Sequence, residues 1–135
     1  MELMKAREAA MARFRPMLRD HGLTEQQWRV LRALTDCDNI DASELAARSF
    51  LLAPSLTRIV QHLESEALIS RRQNAADQRK AVVALTAKGR RLFDRIAPHS
   101  EALYAQIEKE FGFDRLELLY ELLADFYQTL RNGDA

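Results

Sequence analysis

Between Asp41 and Leu63 two short amphipathic patterns follow one another with only a few residues between them. Asp41 with Glu44 three residues on has the capping-box spacing, with Asp as the cap, and starts a short helix through Leu45, Ala46 and Phe50. In "LAPSLTRIVQHLESEAL", Pro54 suits the first helical position, where its missing N–H costs nothing. Leu56, Ile59, Val60 and Leu63 keep the spacing of one helix face. Thr57, Arg58, Gln61 and His62 are left facing outward, with Ser55 on the flank. Two consecutive helices with a short turn, the second presenting Ser, Thr, Arg and Gln near its start, make a helix-turn-helix.

"SRRQNAADQRKAVVALTAKG" follows. It reads as a strand around Ile69 to Arg72, a turn around Asn74 to Gln78, and a strand from about Lys80 to Leu85. A helix-turn-helix followed by such a ribbon is a winged helix. The second helix of the pair fits the major groove of DNA, where side chains read base edges. The ribbon reaches an adjacent minor groove, whose narrow stretches concentrate negative potential. Arg79 has the reach and the permanent charge for that groove. Asp77, a poor phosphate ligand, makes sense as the acceptor that orients Arg79. Arg71, Arg72 and Lys80 are placed to neutralise phosphates, and Asn74 joins the DNA-facing set at the turn. Net charge is zero, yet Arg48 to Arg95 carries ten Lys/Arg against four Asp/Glu, and Glu101 to Ala135 three against eight. The positive field is concentrated where the ribbon lies.

The remaining chain is helical. Leu3, Ala6, Ala10, Phe14 and Met17 mark an amphipathic helix to about His21, which Pro16 should kink or restart. Thr24 with Gln27 opens a second helix, with Val30, Leu31 and Leu34 inward and Trp28 at the edge of that face. Thr86 caps a long helix, disturbed at Pro98, to about Phe111; "FGFD" is a turn, and Asp114 caps the last helix. That helix has an apolar stripe from Leu116 to Leu130 wider than a monomer of this size can cover. The expectation is mainly α with a small β-wing, one domain over 1–135. The winged helix occupies about 24–86, and dimerisation helices about 1–21 and 87–131.

Helix-turn-helix, then "DQRKAVVALTAKG", then a long helix resembles the multiple-antibiotic-resistance regulator (MarR) family of bacterial transcription factors. Its wing pattern Asp-x-Arg, an apolar strand and Leu-Thr-x-x-Gly is matched by Asp77, Arg79, Leu85, Thr86 and Gly89. The resemblance implies an obligate homodimer, built by first and last helices, reading a palindromic operator in double-stranded DNA. "AREAAMARFRPMLRDHGLTEQQWRVLRAL" is similar to the branch of that family governing homoprotocatechuate (3,4-dihydroxyphenylacetate) degradation. That likeness implies a repressor released by an aromatic acid.

Arg7 falls in the middle of the first apolar stripe, and a buried charge needs an anionic partner. The partner is either a carboxylate of another helix or subunit, or the carboxylate of a small aromatic effector. In the second case Arg7, Arg15, His21 and Trp28 form the effector site, Trp28 as an aromatic wall. Cys37 in "TDCDNID" keeps a redox-sensing alternative open, although Asp36 and Asp38 would disfavour its thiolate. A winged helix used for protein interaction, or a DNA architect without an effector, are further alternatives. His21, His62 and His99 are far apart in sequence, so no metal site is expected. No nucleophile motif or phosphate-binding glycine loop occurs, so neither catalysis nor a cofactor is expected. The single cysteine, and the lack of an apolar run near the ~18 residues of a membrane span, point to the cytoplasm.

Overall fold

The computed structural model describes residues 1–37, 39–73, 76 and 80–133. The elements in chain order are α1 (Glu2–Asp20), α2 (Glu25–Thr35), β1 (Ile40–Asp41), α3 (Ala42–Ser49), α4 (Ala53–Ser65), β2 (Ile69–Gln73), β3 (Ala81–Leu85), α5 (Ala87–Phe111) and α6 (Phe113–Asn132). They fall into two compact units, Met1–His99 and Ser100–Ala135.

The first unit holds the core. The second helix begins at a reciprocal capping box: Gln27 N–H donates to Thr24 Oγ1 at 3.1 Å, and Thr24 N–H to Gln27 Oε1 at 3.0 Å. Val30, Leu31 and Leu34 are buried on α2, Leu45 on α3, and Leu56, Val60 and Leu63 on α4. They meet Leu18, Ile40, Ile69, Val83 and Ile96 in one cluster. Asp41 caps α3 by accepting from the Glu44 N–H at 2.9 Å. Phe50 does not extend that helix inward. It ends α3 in the left-handed region (φ 54°) and points to solvent.

The expected two-stranded ribbon is part of a three-stranded antiparallel sheet, ordered β1-β3-β2. Ile69 pairs with Leu85 and Gln73 with Ala81; on the other side of β3, Ile40 pairs with Val83. Two residues are too few to show strand alternation, which is why β1 was not legible. Pro16 and Pro98 sit inside unbroken helices. A proline removes one helix hydrogen bond; on either side of Pro16, Phe14 and Leu18 are both buried, and α1 does not restart there.

In the second unit Gly112, at φ +105°, is the break between α5 and α6. Few other residues adopt that angle. Gly112, rather than Asp114, is the cap residue of α6, and Asp114 lies in its first turn. Leu116 is buried, but every large apolar side chain from Leu118 to Leu130 is 40–57% exposed. No helix among the described residues is long and apolar enough to cross a membrane.

Candidate nucleic-acid interface

Helix α4 is pressed into the core by Leu56, Val60 and Leu63, which fixes what faces outward. Thr57, Arg58, Gln61 and His62 are exposed, and Ser55 is half-buried. The Thr57 hydroxyl donates to the Ala53 carbonyl at 2.9 Å, so its oxygen remains free to accept. Among the described residues Arg58 has no ion pair or hydrogen-bonding partner, leaving a full cation on the helix face.

On β2, only Ile69 turns inward, and Ser70 to Gln73 face solvent. Arg71 Nη2 lies 3.6 Å from Glu64 Oε1 of α4, and Arg72 Nη2 donates to Asn39 Oδ1 at 2.9 Å. Exposed pairs of this kind are worth about 0–1 kcal/mol, so they position the guanidinium groups without consuming them. Lys80 is exposed at the start of β3. Asn74, Asp77, Gln78 and Arg79 lie outside the described residues.

The foot of the ribbon is tightly built. The Thr86 hydroxyl donates to the Ala67 carbonyl at 2.6 Å and accepts from the Gly89 N–H at 3.0 Å. Lys88 Nζ donates to the Glu66 carbonyl at 2.8 Å. A methyl at position 89 would overlap the Leu68 carbonyl oxygen. This close approach is the physical content of Leu-Thr-x-x-Gly at Leu85, Thr86 and Gly89.

The sequence-derived effector residues occupy α1, α2 and the loop between them. Glu25, in the first turn of α2, accepts from Arg7 Nη2 at 3.1 Å and from Arg15 Nη2 at 3.3 Å. Arg15 also forks onto Glu8, with both bonds at 3.0 Å, and Arg7 reaches Glu8 at 3.2 Å. The Arg15 hydrogen bonds hold the Glu8 carboxyl below its ordinary range, and the same pairing pushes the Arg15 guanidinium up. Arg7 is not the buried charge its stripe suggested. Its side chain is 42% exposed, because the first nine residues of α1, Glu2 to Ala10, all face solvent. Glu8 and Arg15, two turns apart on one helix face, were the overlooked sequence signal.

Trp28 is not at the edge of its helix face. It is buried to 7% exposure and stacks on Phe93 of α5, with ring centroids 5.0 Å apart and planes 13° from parallel. His21 and His99, distant in sequence, come together with ring centroids 5.6 Å apart. Among the described residues no three His, Cys, Asp or Glu are grouped to hold a metal. Cys37 stands beside a cation that the sequence did not reveal: Arg48 Nη1 donates to its sulfur at 2.7 Å. The hydrogen bonds of Arg48 to Glu44, and its position by Cys37, raise the Arg48 pKa. Asp38 lies outside the described residues.

An outward polar helix face carrying an unpaired arginine, backed by α3 and flanked by a cationic ribbon, defines a winged-helix DNA-binding regulator. The chain belongs to the MarR family, whose model matches residues 23–81. It is 42% identical over 124 residues to the homoprotocatechuate degradative operon repressor of Escherichia coli, covering 92% of this chain and 84% of that protein. It is 38% identical to the HTH-type transcriptional regulator FarR of Neisseria gonorrhoeae, covering 91% and 84%. The structure of NadR in complex with 4-hydroxyphenylacetate superposes with a TM-score of 0.81 at 38% identity, covering 93% of this chain and 89% of that one. The protein is thus a transcriptional regulator and not an enzyme.

Proposed function

We propose that the protein is a cytoplasmic, homodimeric repressor of an aromatic-acid catabolic operon, released from DNA by a phenolic or aromatic carboxylic acid. The observation that carries this reading is the 42% identity, across 92% of the chain, to a repressor of homoprotocatechuate degradation. A related structure that holds 4-hydroxyphenylacetate supports the effector class. The whole chain works as one MarR-type domain. Two copies join through α1, α5 and α6 and present two winged helices to the halves of a palindrome. Ser55, Thr57, Arg58, Gln61 and His62 meet bases and phosphates in the major groove. Arg71, Arg72, Asn74 and Lys80 meet the backbone, and Arg79, oriented by Asp77, enters the minor groove.

In this reading the effector's carboxylate competes for Arg7 or Arg15. Both arginines are already neutralised by Glu8 and Glu25, so the acid enters by exchange: it takes a guanidinium from a glutamate and loosens α1 from α2. His21 meets a phenolic hydroxyl, and Trp28 backs the aromatic ring. A ligand shifts an equilibrium only by its differential affinity. Release therefore requires DNA-free protein to bind the acid more tightly than the DNA complex does. Calorimetry with 3,4-dihydroxyphenylacetate and 4-hydroxyphenylacetate tests this. Wild type should bind, and Arg7→Ala or Arg15→Ala should bind less tightly. No binding of either acid by wild type removes the effector; undiminished binding by both variants removes only the site.

A further inference from the structure

The turn between α3 and α4 breaks two local rules in succession. Phe50 occupies a left-handed helix-end position that favours Gly or Asn, and its side chain is 69% exposed. Leu52 is the N-cap residue of α4, with the backbone angles of a capping residue (φ −73°, ψ 149°) and no side-chain hydrogen bond. Ser, Thr, Asn or Asp is favoured there. Its side chain is 79% exposed, whereas Leu51 between them packs on the core. One leucine thus anchors the turn, and Leu52 holds a large, mostly exposed apolar group at the N-terminal end of α4, the end that leads into the outward residues. Helix formation and solubility both disfavour leucine at position 52. Local rules are broken in this way mainly where function rewards it.

We propose that Leu52 is a specificity-determining residue that reads the 5-methyl group of a thymine in each operator half-site. The inference rests on α4 entering the major groove. In that groove the thymine methyl is the apolar feature of the base edges, and it distinguishes a T·A pair by contact alone. Leu52 precedes Ser55 by three residues, so an apolar contact leads the polar ones into the site. The exposed Arg58 cation on the same helix supplies attraction to the same DNA.

The test uses a duplex selected by the wild-type protein from a random library. Its thymines are replaced by deoxyuridine, one symmetric pair at a time, which removes the methyl and nothing else. Burying one methyl corresponds to about a fourfold change in affinity per half-site. Wild type should lose roughly that factor, compounded over two half-sites, at one position. Leu52→Ala should bind the thymine duplex correspondingly less well and be indifferent to deoxyuridine at that position. Leu52→Ser should do the same while melting at a higher temperature, since serine caps the helix. Wild-type indifference at every thymine overturns the proposal, as does an undiminished deoxyuridine penalty in Leu52→Ala. A loss of self-association in Leu52→Ser would assign the side chain to a protein contact and also overturn it. Arg58→Ala separates the two levels. If it binds as wild type does, the placement of α4 in the groove fails; if it weakens binding while deoxyuridine has no effect, only the role of Leu52 fails.

Discussion

The two compact units use the same side chains at the same helical spacing and treat them in opposite ways. In Met1–His99, Leu31, Leu34, Leu45 and Leu63 are fully buried. In Ser100–Ala135, Leu118, Leu119, Leu122, Leu123 and Leu130 lie open. The difference is the number of layers. Helix α2 is packed against α1, α3, α4 and β3, whereas the second unit has only α6 and the rest of α5 from which to build. An amphipathic pattern states which face requires cover; it does not state whether the same chain provides it.

The largest effect should come from charging the open stripe. If a second copy covers it, Leu123→Glu with Phe126→Glu should reduce the mass by light scattering from twice 15.5 kDa to 15.5 kDa. Affinity for a palindromic duplex should then fall roughly 10²–10⁴-fold, the value of joining two binding modules. A monomeric wild type at micromolar concentration would break the comparison at its root.

Truncating leucines sharpens it. Leu31→Ala should cost about 2–5 kcal/mol at any protein concentration, because its cavity lies within one chain. If a second copy covers the stripe, Leu122→Ala should cost an amount that changes with protein concentration. Denaturant melts at two concentrations distinguish them, and equal concentration dependence would count against the contrast.

Below that come the proposed DNA contacts, all of them residues of the first unit. Arg58→Ala and Arg79→Ala should each weaken operator binding by about 1–3 kcal/mol without altering mass. Arg72→Ala should cost less, since Asn39 already holds part of its guanidinium. A change of mass in Arg58→Ala would mean that the two units are not separable in this way.

The smallest effects should be those of pH, with opposite signs in the two units. Glu8 has a depressed pKa, chiefly through its hydrogen bonds to Arg15. Its contribution is present above its ordinary pKa and is lost as pH falls below about 4.5 towards the folded-state value. Tyr120, although 47% exposed, has a raised pKa, first through partial desolvation and then through Tyr104, Glu117 and Glu108. Its contribution is present below pH 10.0 and is lost as pH rises through that value towards the folded one. Glu8→Gln should flatten the acid limb of a thermal-stability profile, and Tyr120→Phe the alkaline limb. Unchanged limbs would separate these groups from folding stability.

Periodicity and capping made much of the fold legible. Thr24 with Gln27, Asp41 with Glu44, and the Leu56–Leu63 face all operate within one turn or one helix, where sequence distance is spatial distance. The missed features join distant residues. Phe93 buries Trp28 from 65 positions away. Glu25 captures Arg7 and Arg15 from another helix, Arg48 reaches Cys37, and His99 finds His21. Phe50 was misplaced for a different reason. An apolar residue at the end of an apolar pattern looks like its continuation until the backbone turns left-handed.

The foot of the ribbon has a mechanical consequence. Thr86, Lys88 and Gly89 bind the first turn of α5 to the carbonyls of Glu66 and Ala67 and against that of Leu68, with no room for a methyl group between them. Ribbon and helix therefore lack an independent pivot at this joint and behave as a crank and its shaft. A small rotation of α5 sweeps the outer ends of β2 and β3, at Gln73 and Ala81, through a larger arc. A regulator built this way can change its grip on DNA by turning a shaft, without remaking any contact inside the wing.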